Sequence, residues 1–186
     1  MNRTQASSLP PGPFLIVLAG LPGTGKSTLA AHLARRIGAV HLRIDRVEQT
    51  LRDRARWQGD MDESGYRIAE AIAADNLANG QRVIADAVNP VQAARRGWRD
   101  LAARHDCALT EIEIHCSDRD EHRRRVETRT VAIANLVPPD WEAVLGHAFE
   151  PWPEPHHRLD TAGRTVDECL EALLRLLSVP PEEREN

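Results

Sequence analysis

The stretch Phe14-Leu15-Ile16-Val17-Leu18-Ala19-Gly20-Leu21-Pro22-Gly23-Thr24-Gly25-Lys26-Ser27-Thr28 decides the fold. Its first six residues form an unbroken apolar run of strand length, which reads as a strand buried on both faces. The next eight, Gly20 to Ser27, satisfy G-x-x-x-x-G-K-[ST]. Glycines let a backbone curl until successive N–H groups point inward at phosphate oxygens. A helix starting at Lys26 adds its partial positive N-terminus. In that motif Lys26 reaches the β- and γ-phosphates, the Ser27 hydroxyl ligates Mg²⁺ and Thr28 faces the α-phosphate. A strand before the loop and a helix after it are the context the motif requires.

Further apolar runs mark the other strands: Val40 to Ile44, Arg82 to Ala85, Thr110 to His115 and a weaker His157 to Leu159. Helical spacing fits Lys26 to Ile37, Arg46 to Arg56, Gly65 to Ala78, Val91 to His105, Arg119 to Arg129, Pro139 to Phe149 and Val166 to Leu177. In the last of these Val166, Cys169, Leu170, Leu173, Leu174 and Leu177 share one face. Strands alternating with helices imply crossover connections, hence a parallel sheet covered on both sides. Ligands of such sheets bind at the C-terminal ends of the strands.

Two carboxylates are expected there. Asp86 follows the third run and suits a Mg²⁺ role, with capping near Asn89-Pro90 as the alternative. The next residue, Ala87, supplies no carboxylate to activate water, which favours transfer over hydrolysis. Asp45 follows the second run and suits a base for an acceptor hydroxyl; capping the helix from Arg46 is its alternative, and the two roles are compatible. Arg125 and Arg129 lie four apart on one helix face, where a closing lid would bring them onto phosphates. Arg123 and Arg124 read as solvated. Residues Thr130 to Pro155 are proline-rich, and Trp141, Val144, Leu145 and Phe149 suggest a helix docked on the body, moving as a unit or packed in place. His147, His156 and His157 lack the partners that would complete a metal site.

The chain has 186 residues, 41% of them apolar, and a net charge of −4. That fits one domain, expected over residues 14–179 with a lid at about 123–155, between a flexible N-terminus (1–13) and tail (180–186). No apolar run reaches the ~20 residues of a membrane span, and no secretory signal is evident. The three cysteines, Cys107, Cys116 and Cys169, read as buried reduced thiols of a cytoplasmic protein. The acidic balance argues against nucleic acid as a partner. Of 24 basic residues, only Lys26 is lysine.

Taken together, Gly20 to Thr28, Arg43-Ile44-Asp45, Val83 to Asn89, Cys116-Ser117-Asp118 before the Arg125/Arg129 helix, and Leu159 to Gly163 resemble the small P-loop kinases related to nucleoside monophosphate kinases, the kinase-like AAA-family ATPases. Chloramphenicol phosphotransferase, polynucleotide kinase, adenylylsulfate kinase and zeta-type toxins share this layout. The resemblance covers about Leu15 to Leu177. It implies a three-layer P-loop NTPase fold, α/β, with a five-stranded parallel sheet in the order 2-3-1-4-5 and a small helical lid. It implies ATP as donor with Mg²⁺, and an acceptor pocket between the Asp45 helix and Trp57 to Ala78. Trp57, Tyr66, Arg67 and Trp98 are candidates to line a small-molecule acceptor's pocket, with ordinary packing as their alternative. The resemblance puts Thr161, Gly163 and their neighbours beside adenine. One departure stands out: polynucleotide kinases of this group carry Asp-x-x-Arg after the second strand, and here the last position is Glu48, so Arg43 or Arg46 would have to meet an acceptor phosphate. The expected activity is transfer of the ATP γ-phosphate to a small-molecule hydroxyl by a monomer or homodimer. A kinase of nucleic-acid ends or nucleotide sugars, and a slow nucleotide switch, are the alternatives.

Overall fold

The computed structural model describes residue 9, residues 11–55 and residues 63–178; the expected flexible termini and Trp57 fall largely or wholly outside them. Elements follow in the order β1 (Phe14–Ala19), α1 (Lys26–Ile37), β2 (Val40–Arg43), α2 (Ile44–Ala55), α3 (Ser64–Ala78), β3 (Arg82–Asp86), α4 (Gln92–Arg104), β4 (Ala108–His115), α5 (Arg119–Thr128), α6 (Trp141–Leu145), β5 (His157–Asp160) and α7 (Val166–Ser178). The five strands form one sheet in the order β2-β3-β1-β4-β5, every pairing parallel. Strand β1 is central and wholly buried, as its unbroken apolar run requires.

Period-two alternation along β1 divides the core. Phe14, Ile16 and Leu18 pack with Leu29 and Leu33 of α1 and Leu173 and Leu177 of α7. Leu15 and Val17 pack on the other side with Ala69, Ala73 and Leu77 of α3 and Trp98 and Leu101 of α4. Parallel strands on a common register bring the loops after β1, β2, β3, β4 and β5 to one edge, and the site is built there.

Three boundaries differ from the sequence reading. Strand β2 stops at Arg43 and α2 begins at Ile44, whose side chain is buried in the second core. Asp45 therefore sits inside the first helical turn and is not the residue preceding it. Helix α6 is only five residues long, capped by the Asp140 carboxylate on the Ala143 N–H and closed at Gly146. Leu145 is exposed, so the docked face reduces to Trp141 and Val144. In α7, Val166 is exposed and belongs to the cavity edge, not the core. Of the cysteines Cys169 alone is buried, Cys107 and Cys116 being partly exposed, and all three are free thiols.

Candidate active site

The phosphate loop closes on itself. Thr24 Oγ1 and Lys26 Nζ both donate to the Leu21 carbonyl, at 2.9 and 2.8 Å. Gly20 has φ +133°, and a Cβ there would collide with the Ile114 carbonyl oxygen, so the loop can leave β1 only through glycine. Gly23, at φ +87°, lies against Val126 of α5 with no room for a side chain. Gly25, also at positive φ, precedes α1 and opens its first turn toward the cavity.

Helices α5 and α6 grip this loop from outside. The buried His122 donates Nε2–H to the Pro22 carbonyl at 2.8 Å, a carbonyl being able only to accept. Its ring meets Trp141 edge to face at 5.2 Å, and Leu21 packs against Val126, Trp141 and Val144. On the far side the loop after β5 is stitched to the rest. Asp160 accepts from both the N–H and the hydroxyl of Ser117 and from the Ala162 N–H; although burial pushes its pKa up, these bonds hold it down at about 2. Thr161 Oγ1 is within 3.0 Å of the carbonyls of Thr24 and His115.

A cavity of ≈ 960 Å³ opens over the loop, lined by residues from Pro22 to Cys169. It gathers Gly23, Gly25, Lys26, Ser27, Thr28, Asp45, Asp86, Arg125, Arg129 and Thr161. Gly20, Leu21, Thr24 and Gly163 do not line it, and the Gly163 N–H is committed to Glu121 at 2.9 Å.

Asp86, 3% exposed, ends β3. Burial pushes its carboxyl up, yet the hydrogen bond from His41, the Lys26 ammonium and the Ser27 hydroxyl together hold its pKa below the ordinary value. A buried, ionised carboxylate beside a serine hydroxyl is a fit donor set for Mg²⁺. Burial lowers Lys26 to about 8; Arg129 and Arg43 push the same way, Asp86 and Asp45 oppose. Asp45 presents both oxygens to Arg43, at 3.0 and 2.6 Å, a forked pair that fixes the plane of the carboxylate.

The two lid arginines part company. Arg125 donates to the hydroxyl and carbonyl of Thr161 and to Glu121, so it ties α5 to the loop after β5. Arg129 lies close enough to Lys26 and Asp45 to influence both, and its buried Nε has no hydrogen-bond partner.

Of the acceptor-pocket candidates, Tyr66 lines the cavity, its hydroxyl accepting the Asn89 N–H at 3.2 Å. Trp98 is fully buried beneath Asn89 and donates its indole N–H to Asn89 Oδ1, while Arg67 pairs with Glu63 on the surface. Trp98 thus takes the packing role that was its alternative, and Arg67 lies on the exposed surface of α3. Arg46 lines a separate groove with Ile68 and Ile72. His147 borders the cavity, His156 stacks on Trp152 and His157 opens β5; among the described residues no group of three or more His, Cys, Asp or Glu is placed to hold a metal. No motif in the sequence marks His41 or His122, which meet their partners only through strand register and helix docking.

Fold and site together define a P-loop nucleotide-binding α/β architecture. An AAA domain family pattern (AAA_33) matches residues 15–142, and the chain belongs to that family. An uncharacterised protein of Mycobacterium tuberculosis strain H37Rv and one of Mycobacterium bovis are each 31% identical over 162 residues, 80% of this chain. The chain spans about a third of their length, 32%. Among solved structures, the APS kinase CysC of M. tuberculosis in complex with AMPPNP and APS superposes with TM-score 0.64 at 21% identity, over 91% of this chain and 100% of that one. A gluconokinase of Sinorhizobium meliloti gives 0.64 at 20%, over 91% and 94%. Chaetomium thermophilum Kti12 with ADP-AlF3 gives 0.62 at 19%, over 88% and 98%. The fold is that of P-loop kinases.

Proposed function

We propose that the chain is an ATP-dependent kinase that transfers the γ-phosphate to a hydroxyl of a small molecule, with residues 14–179 as its catalytic domain and the cytoplasm as its place of work. The observation that carries this reading is the cavity that Lys26, Arg129 and Asp45 line together, close enough to influence one another's charge. Phosphoryl transfer needs charge neutralisation, alignment and a carboxylate near the acceptor hydroxyl, and these three residues supply them. The acceptor oxygen attacks the γ-phosphorus, the bond to the β–γ bridging oxygen breaks, ADP leaves and Asp45 takes the hydroxyl proton. Arg43 holds Asp45 in position for that. Ser27 and Asp86 would hold Mg²⁺, which supplies charge neutralisation at the phosphates when bound. Arg129, with a donor unspent, is the arginine for the transferring group; Arg125 organises the nucleotide side through Thr161.

The acceptor side favours an uncharged or cationic hydroxyl compound. Glu48 lies one turn along α2 from Asp45 and also lines the cavity. Burial pushes its carboxyl up, with Arg52 3.9 Å away opposing and Asp45 adding to the effect. Among the described residues of β2 and α2 that line the cavity, Arg43 and Arg52 are each matched by a carboxylate, which argues against an acceptor phosphate held there.

The test is an ATP-consumption screen over polyols and sugars, aminoglycosides, nucleosides and oligonucleotide ends, repeated with Asp45→Asn. Acceptor-dependent turnover is expected in the first groups, with a loss of at least ~100-fold in the variant. A loss below threefold would reduce Asp45 to a partner of Arg43. Turnover only on oligonucleotide ends would move the acceptor to nucleic acid, and slow acceptor-independent hydrolysis would indicate a switch.

A further inference from the structure

We infer that His41, a residue of edge strand β2 outside the phosphate loop, is a positioning residue that aims the Asp86 carboxylate at the Mg²⁺ side of the site. The inference rests on the reading of Asp86 given above and adds a residue that the loop motif does not contain.

The geometry follows from pleat and register. Leu42 points into the core shared with Val83 and Ala85, so His41 and Arg43 project to the opposite face of the sheet. On β3 that face carries Ile84 and Asp86. The strands pair His41 with Ile84 and Arg43 with Asp86, which makes His41 the diagonal neighbour of Asp86. Its Nε2 lies 3.0 Å from Asp86 Oδ2. An ionised carboxylate only accepts, so Nε2 carries the proton. Arg43 Nε stands 3.9 Å from the same oxygen while its fork holds Asp45. The two outward residues of one short strand therefore each hold one of the two site carboxylates.

This matters because Asp86 has competing partners. It is nearly sealed from water and within electrostatic reach of the Lys26 ammonium. A carboxylate free to rotate about its Cβ–Cγ bond would turn toward that cation, engaging the lysine needed at the phosphates and withdrawing the oxygen needed at the metal. An imidazole on Oδ2 opposes that rotation, alongside the Ser27 hydroxyl. The His41 side chain is largely withdrawn from solvent, 18% exposed, and its Nε2 is committed to Asp86. Partners that orient a metal-side carboxylate are worth ~10–100-fold in metal affinity.

The experiment is calorimetric titration of the full chain with AMPPNP, once with Mg²⁺ and once with EDTA, for wild type, His41→Phe, His41→Gln and Asp86→Asn. The quantity read is the gain in affinity that Mg²⁺ confers, which a general loss of stability does not selectively remove. His41→Phe keeps a ring and loses the donor; it is expected to lose about tenfold or more of that gain, over and above any fall in EDTA, which reports only the hold of the freed carboxylate on Lys26. His41→Gln, which retains an N–H donor, is expected to recover most of it. His41→Leu takes the place of His41→Phe if the larger ring prevents folding. A donor-less variant that keeps the Mg²⁺ gain within twofold overturns the role of His41. Asp86→Asn keeping its full gain overturns the reading of Asp86 itself, so the two failures are distinct.

Discussion

Lys26 is the only lysine among 24 basic side chains, and it is buried in the loop it serves. An arginine fork replaces lysine on most solvated surfaces, but it does not reproduce a compact ammonium beneath a phosphate chain. Burial is the main cause of its pKa of about 8, against an ordinary 10.5. Between pH 8 and 10.5 the unfolded chain binds more protons than the folded one, so in that window stability rises with pH. Below pH 8 the folded protein carries a buried charge at a cost. Lys26→Met is therefore expected to stabilise the ligand-free protein at pH 7 by about 1 kcal/mol or more in urea unfolding, while abolishing phosphoryl transfer. Phosphates restore the proton, so nucleotide affinity should fall above pH 8 by up to tenfold per unit, with proton uptake on binding. Because the chain has one lysine, ¹³C-lysine labelling gives a single side-chain titration to follow. A titration midpoint above pH 10 without nucleotide would refute the argument.

Short elements around the loop behave as clamps. Arg95 of α4 is fully buried and donates to the carbonyls of Asn89, Pro90, Glu150 and Pro151, with its guanidinium over the Phe149 and Trp152 rings at 5.0 and 4.2 Å. Glu150 answers with its own N–H to Pro90 O and its carboxylate on the Gln92 N–H. The end of the proline-rich stretch is thus strapped to the loop after β3, and any lid motion is left to the part before Phe149. Arg95→Met strands several carbonyls and is expected to cost at least about 3 kcal/mol by urea unfolding, with new proteolytic cleavage near Trp152; Arg95→Lys cannot restore the planar fork. A loss below 1 kcal/mol would mean that the strap holds without it. Elements of this kind mark where the sequence stopped being legible. Strand β1 and helix α1 announce themselves through an apolar run, a glycine pattern and a helical period, all local. Asp45 and Asp86 were legible because strand ends at one sheet edge collect ligands. Arg95, Asn89, His41 and His122 act on partners brought close by packing or register, and nothing adjacent in the chain marks them. Asn89 even has positive φ, +49°, which sequence cannot assign before the turn is known. Whether Arg67 and Trp98 line a pocket or pack could not be read from the chain, because composition alone does not say which face of α3 or α4 meets the core.

At the scale of the whole molecule, one cavity joins parts that are far apart in the chain. Lys26 and Ser27 come from α1, Asp45 from α2, Tyr66 from α3, Asp86 from β3, Arg125 from α5 and Thr161 from the loop after β5. The parallel sheet makes this possible by bringing every strand's C-terminal end to one edge; on the proposed reading α5 and the loop after β5 serve the nucleotide, and α2 and α3 wall the space for the acceptor. No helix among the described residues is long and apolar enough to cross a membrane, and the core is spent on the two faces of the sheet. A ligand spanning these elements binds the folded chain and not the unfolded one, so it stabilises the whole fold by mass action. At a hundredfold excess over Kd, Mg²⁺ with a non-hydrolysable ATP analogue is expected to add about 2.7 kcal/mol, a rise in Tm of roughly 5–10 °C for a domain of this size. The location of the added protection is the sharper part of this expectation. Hydrogen exchange should slow at the N-terminus of α1, along α5 and at Thr161 to Thr165, where the nucleotide and its arginine meet. It should change little at Glu150 to Trp152, which Arg95 already holds. Protection confined to residues 20–28 would mean that the loop binds nucleotide alone, and that Arg125 and the loop after β5 belong to the scaffold and not to the site.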